Sequence, residues 1–171
     1  TLRSRGLGDV YKRQELGITE SQLGMVSAFY FIPVAILAII VGRALDNYSV
    51  KNFMMIGTVI YAVGLFSLSF INSYWSLLTI YLTILALGSI MMGNLAVSKL
   101  IANWFDKNAG KALGIAAIGI SFSGVILPLI VDPLLELVGW RNVYIIFASI
   151  VFFIILPLVF FTVIDLSLIH I

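Results

Sequence analysis

Five apolar runs, each long enough to cross a bilayer as a helix, dominate this chain. They cover about residues 21–41, 53–70, 75–104, 112–131 and 143–161. Roughly 20 apolar residues rising ~1.5 Å each span the ~30 Å hydrocarbon layer. Lys99 is the one charged residue inside any run. Strands of a membrane barrel would be ~10 residues long with alternating polarity, and no such alternation is present. The expected fold class is therefore an all-α membrane protein, a polytopic bundle of transmembrane helices. Composition agrees: 61% of residues are hydrophobic and 11% charged, against about a quarter charged in soluble domains. The first partner implied is the lipid bilayer.

The two ends read differently from the middle. Residues 9–14 are DVYKRQ and residues 166–171 are LSLIHI. The transposon end used in tagmentation libraries, GATGTGTATAAGAGACAG, translates to DVYKRQ, and its reverse complement translates to LSLIHI. The upstream adapter arm reads SRGLG, matching Ser4 to Gly8. Residues 1–14 and 166–171 are therefore expected to be library-adapter translation rather than native protein. Residues 15–165 then hold six basic and seven acidic side chains, a net charge of −1. The basic leader is discounted as a targeting segment or a nucleic-acid patch, so no nucleic-acid partner is expected.

Orientation follows from lysine and arginine. The loop at 43–52 holds Arg43 and Lys51, and the loop at 106–111 holds Lys107 and Lys111, with Lys99 close by. The opposite side has Arg141 with Glu15, Glu20, Asp132 and Glu136. The two basic loops are expected in the cytoplasm, and the membrane is expected to be a bacterial inner (plasma) membrane. The chain would enter from outside near Glu15, so a preceding helix is expected to have been cut away.

Three loop motifs carry a family resemblance. Gly42-Arg43-Ala44-Leu45-Asp46-Asn47-Tyr48-Ser49-Val50-Lys51 resembles the signature G-x-L-a-D-r-x-G-r-[RK] of the major facilitator superfamily. Gly42, Asp46 and Lys51 match, whereas Asn47, Ser49 and Val50 depart. Asn103-Trp104-Phe105 through Gly110-Lys111-Ala112-Leu113-Gly114 resembles the family's lead-in to its fifth helix, with Ala109 in place of the usual Arg. Gly139-Trp140-Arg141 is similar to the motif opening its sixth helix. The resemblance implies that residues 15–165 are family helices two to six, an incomplete N-terminal domain. The missing C-terminal half of the same protein would be a partner. It also implies a gate at Gly42, Asp46 and Lys51, with Asp46 facing a helix N-terminus of the other half, whose partial positive charge favours an acid. Gly42 would allow a close approach there.

Small residues recur at helical spacing. Gly110, Gly114, Ala117, Ser121, Gly124 and Pro128 share one face of the fourth span, and Gly24, Ala28, Ala35, Ala38 and Gly42 share one of the first. Such stripes let membrane helices pack closely. Packing within the bundle explains them blandly, and the resemblance assigns them to the interface with the other half. Pro33 and Pro157 are expected to bend their helices.

The resemblance places the solute cavity along the third span. Its polar residues are Ser89, Asn94, Ser98 and Lys99, with Asn94 foremost because a buried amide in lipid needs a partner. Lys99 has two readings, a side chain snorkelling to the surface or an anion-binding group. Tyr30, Ser121 and Ser123 are secondary candidates. Trp75, Trp104, Trp140 and Tyr144 lie at span ends, where interfacial anchoring accounts for them. Ile84 stands four residues before Gly88, where many proton-coupled relatives carry Arg, and no acid lies within a span.

These readings imply part of a secondary transporter moving a small organic solute, an anion among the candidates, by alternating access. A non-transporting receptor or assembly subunit on the same fold is the alternative, since fold does not fix function. An intramembrane enzyme ranks below both, because residues 15–165 contain no Cys, no His and no midspan acid. No cofactor and no metal are expected.

Overall fold

The computed structural model describes residues 7–105 and 107–164. The adapter-like segments 1–6 and 166–171, together with Asp106 and Asp165, lie outside the described residues. Within them every regular element is helical, in the order α1 (Leu7–Leu16), α2 (Glu20–Asn47), α3 (Val50–Leu68), α4 (Tyr74–Ile80), a π-turn (Tyr81–Leu85), α5 (Ala86–Met92), α6 (Asn94–Trp104), α7 (Ala109–Ile150), a second π-turn (Val151–Ile155) and α8 (Leu156–Thr162). Four continuous helical stretches are long and apolar enough to cross a membrane: Glu20–Asn47, Val50–Leu68, Tyr74–Trp104 and Ala109–Thr162.

The last of these holds two of the expected spans. At 54 residues it would run to about 80 Å if straight, far beyond a bilayer. Gly139 breaks it, with φ 77° and ψ 159°. That positive φ suits glycine, so the chain reverses there through one residue rather than through the loop expected around 132–142. The third span also departs from one straight rod. A π-turn interrupts it at Tyr81, and Gly93, with φ −87° and ψ −150°, ends α5. A Cβ at Gly93 would run into the Ser89 carbonyl oxygen.

Local chemistry sets the helix ends. Thr19 caps α2 by a reciprocal pair: Gln22 N donates to Thr19 Oγ1 at 3.2 Å, and Thr19 N donates to Gln22 Oε1 at 2.8 Å. Ser49 Oγ accepts from Asn52 N at 3.3 Å to start α3. Pro33 lies inside the unbroken α2. Pro157 enters α8 directly after the second π-turn. A proline there cannot donate to the carbonyl four residues back and its ring crowds that carbonyl, which the wider π-turn relieves.

Two buried clusters hold the bundle. One, including Val26, Leu68, Leu77, Leu85, Trp140 and Val143, packs the end away from the basic loops. The other, including Val41, Leu45, Met54, Met91, Ala96 and Val159, packs the end carrying the basic loops. The tight packing of α3 against α5 uses glycines that no small-residue stripe included. A Cβ on Gly57 would lie 2.6 Å from Met91 Cβ, and one on Gly88 only 2.7 Å from the Tyr61 backbone nitrogen. By contrast, a Cβ on Gly24, Gly110, Gly114 or Gly124 would meet nothing within 4 Å. The fourth-span face bearing Ala117 and Ser121 is exposed, as are Ala28 and Ala35, while Ala38 is half-buried. Gly42 makes only ordinary contact, 3.8 Å from Leu95 Cδ2. Within this chain no turn forms at Gly42, and α2 stays helical through it to Asn47.

Trp140 corrects the interfacial reading. It is 4% exposed, and its Nε1 donates to Glu15 Oε2 at 2.5 Å. Trp75, by contrast, is 72% exposed. The positive-φ turn at Gly139 swings Trp140 inward and presents Arg141 to the end of α3. Arg141 donates to the carbonyls of Ser69 (3.4 Å) and Ile71 (3.0 Å) and to Asn72 Oδ1 (3.2 Å), pairs with Glu15 at 3.0 Å, and stacks on Trp140 at 4.2 Å. Lysine cannot reproduce that planar fork. Arg141→Lys is expected to lower stability by about 1 kcal/mol, read as an earlier thermal transition in detergent. An unchanged transition would show that the fork contributes nothing.

Candidate functional site

The polar residues of the third span fall into two groups, divided by the break at Gly93. On its N-terminal side, Tyr30 Oη donates to Ser89 Oγ at 2.6 Å, and Ser89 Oγ donates to the Ala86 carbonyl at 2.9 Å. Two expected cavity residues therefore bond each other and join α2 to α5. The Tyr30 ring also meets Tyr81 edge-on at 6.3 Å, at the start of the π-turn. In this arrangement the pair holds helices together.

On its C-terminal side, Asn94 is the first residue of α6 and is exposed. Its side-chain amide makes no hydrogen bond among the described residues. One turn further on come Ser98 and Lys99, both half-buried. Lys99 Nζ donates to Asp46 Oδ1 at 2.6 Å and forms an ion pair with it. The lysine head ends on the acid of the gate motif. The sequence reading considered these two residues separately and missed the pair. The available signal was one acid and one base at the same membrane boundary, on helices that must neighbour each other.

Other contacts tie this end together. Lys51 Nζ lies 4.7 Å above the Phe160 ring, a cation–π contact between α3 and α8. Trp104 Nε1 donates to the Ile164 carbonyl at 3.2 Å. The ends of α2, α3, α6 and α8 thus meet around Asp46, Lys99, Lys51 and Trp104. Ser121 and Ser123 lie apart, donating to carbonyls of their own helix, Ala117 O at 3.3 Å and Ile120 O at 2.7 Å.

An open apolar cleft lined by Leu127, Val131, Leu135, Trp140, Tyr144 and Phe147 lies toward the other end. Lys12 of α1 also lines it. Among the described residues no three His, Cys, Asp or Glu lie close enough to hold a metal ion.

The geometry offers one exposed amide beside a backbone break and one acid–base pair at the helix ends. Such groups can donate and accept hydrogen bonds and hold a charge pair. Comparisons with known proteins agree with this picture. The chain is 29% identical over 123 residues to an MFS-type transporter of Gibberella moniliformis, a match covering 72% of this chain and 29% of that protein. It is 31% identical over 132 residues to the sialic acid transporter NanX of Escherichia coli, covering 76% and 32%. It is 28% identical over 112 residues to the riboflavin transporter MCH5 of Saccharomyces cerevisiae, covering 64% and 21%. The chain therefore spans about a third of the length of these relatives, or less. No solved structure matches. The Major Facilitator Superfamily model matches residues 8–167, nearly the whole sequence, and this chain belongs to that superfamily of membrane transporters.

Proposed function

We propose that residues 15–165 are part of the N-terminal half of a secondary transporter that moves a small organic solute by alternating access. The observation that carries this reading is the Asp46–Lys99 ion pair. It links the gate-motif acid to α6, the segment that starts at Asn94 just beyond the Gly93 break. A solute bound at Asn94 and a contact made by Asp46 would then bear on the same short helix. Relatives named for riboflavin and sialic acid support an organic solute.

In this reading the basic end faces the cytoplasm of a plasma membrane, and residues 1–14 and 166–171 are adapter translation. The open faces of α2 (Gly24, Ala28, Ala35) and of the first arm of α7 (Gly110, Gly114, Ala117, Ser121, Gly124) are covered by the other half of the complete protein. Asn94 provides the solute hydrogen bond, with Ser98 beside it, and the Tyr30–Ser89 bond holds the cavity wall.

Asn94→Ala in the complete transporter is expected to raise the half-saturating solute concentration roughly 10-fold, the order of one lost hydrogen bond to a desolvated group. Uptake into vesicles over a range of solute concentrations measures it, and an unchanged value would remove Asn94 from the site. Saturable uptake by the complete transporter tests the transport reading itself. Binding without translocation would contradict it.

A further inference from the structure

We propose that the basic end of the bundle is a binding surface for anionic phospholipid headgroups, formed by Arg43, Lys107 and Lys111. The inference rests on the chain lying in a membrane and is independent of the transport reading.

Five basic residues stand at this end, and two of them are engaged. Lys99 pairs with Asp46, and Lys51 sits over the Phe160 ring. The side chains of Arg43, Lys107 and Lys111 are exposed and make no hydrogen bond, ion pair or ring contact among the described residues. The contacts just described put them at one level. Arg43 lies one turn before Asp46 on α2, Asp46 meets Lys99 of α6, and α6 ends at Trp104. Lys107 and Lys111 follow within seven residues.

A second observation supports the headgroup zone for that level. Tyr48 and Trp104, whose rings carry a polar edge, are exposed here, and Trp and Tyr are the residues enriched at a membrane–water boundary. Unpaired cations at that depth face lipid phosphates and anionic headgroups, not bulk water alone. A basic side chain next to an anionic lipid surface gains roughly fivefold in local affinity. The opposite end carries Glu15, Glu20, Asp132 and Glu136, and its Arg13 and Arg141 pair with Glu20 and Glu15.

The tryptophans provide the probe. In a Trp75→Phe variant of the full chain, Trp140 is buried at the far end, so Trp104 is the indole that reports on lipid. The chain is placed in phosphatidylcholine vesicles in which brominated acyl chains are carried either by phosphatidylglycerol or by phosphatidylcholine at equal mole fraction. Brominated phosphatidylglycerol is expected to reach half-quenching of Trp104 at a mole fraction at least threefold lower. The combined Arg43→Gln, Lys107→Gln and Lys111→Gln variant should bring that ratio to about one. On the unmutated surface, ~1 M salt should do the same, because it screens charge over ~3 Å. A ratio near one in the starting variant overturns the proposal. So does a preference that survives both the triple variant and high salt.

Discussion

Gly88→Ala is expected to push the third span off the second and to destabilise the bundle by about 1–3 kcal/mol, the usual range for overpacking a tight contact. A Cβ at Gly88 would lie 2.7 Å from Tyr61 N and 2.8 Å from Tyr61 Cα. Those are backbone atoms of α3, which no side-chain rotation can move aside. Gly57→Ala should act similarly, since its Cβ would lie 2.8 Å from the Met92 backbone nitrogen. The sign makes the test sharp. In an open helix, glycine to alanine is favourable by about 0.5–1 kcal/mol. Gly114→Ala, with nothing within 4 Å, should therefore leave the chain as stable or slightly more so. Thermal denaturation of the three variants in one detergent, followed by circular dichroism, separates them. If Gly88→Ala melts with Gly114→Ala, the α3–α5 approach is looser than described.

Asp46→Asn is expected to change the ratio of the two gate states by ~10-fold. In the transport reading, Asp46 contacts a helix N-terminus of the other half when the cytoplasmic side is closed. A partly buried charge–dipole contact reaches up to ~2 kcal/mol, and each ~1.4 kcal/mol is a factor of ten. Lys99→Gln is expected to act in the opposite direction. The lysine holds the carboxylate at 2.6 Å within its own half, and its positive charge opposes the approach of a positive helix end. Both partners are partly exposed, so the Lys99→Gln effect should stay within about fivefold. Maximal uptake should fall for Asp46→Asn, while the solute affinity of the open site changes less than twofold. Two variants shifting the same way would mean that Lys99 and Asp46 act as one unit, without competition between the halves.

What the sequence revealed and what it hid follow from range. The apolar spans were legible because bilayer thickness dictates their length. Gly139 carried no mark separating a one-residue reversal from a loop, although the adjacent Trp140-Arg141 did point to a helix start. The break at Gly93 depends on the path of the third span across its neighbours. The same is true of the tight glycines. The periodic stripe on the fourth span drew attention, yet Gly57 and Gly88 make the contacts, because each meets a particular partner on another helix. Of the site candidates, Tyr30 and Ser89 turned out to bond each other, and Lys99 found Asp46 across 53 positions of sequence. Neither pairing follows from spacing along one helix.

The central claim is that the Asp46–Lys99 end opens and closes to let solute reach α6. Ser98, half-buried and next to Lys99, is the position from which to watch it. In the complete transporter with Ser98→Cys as its only cysteine, the alkylation rate by an impermeant reagent is measured from the side of the basic loops. The account predicts a measurable rate that solute alters, and a rate ~10-fold higher when Asp46→Asn is added. A rate that neither solute nor Asp46→Asn changes would contradict it.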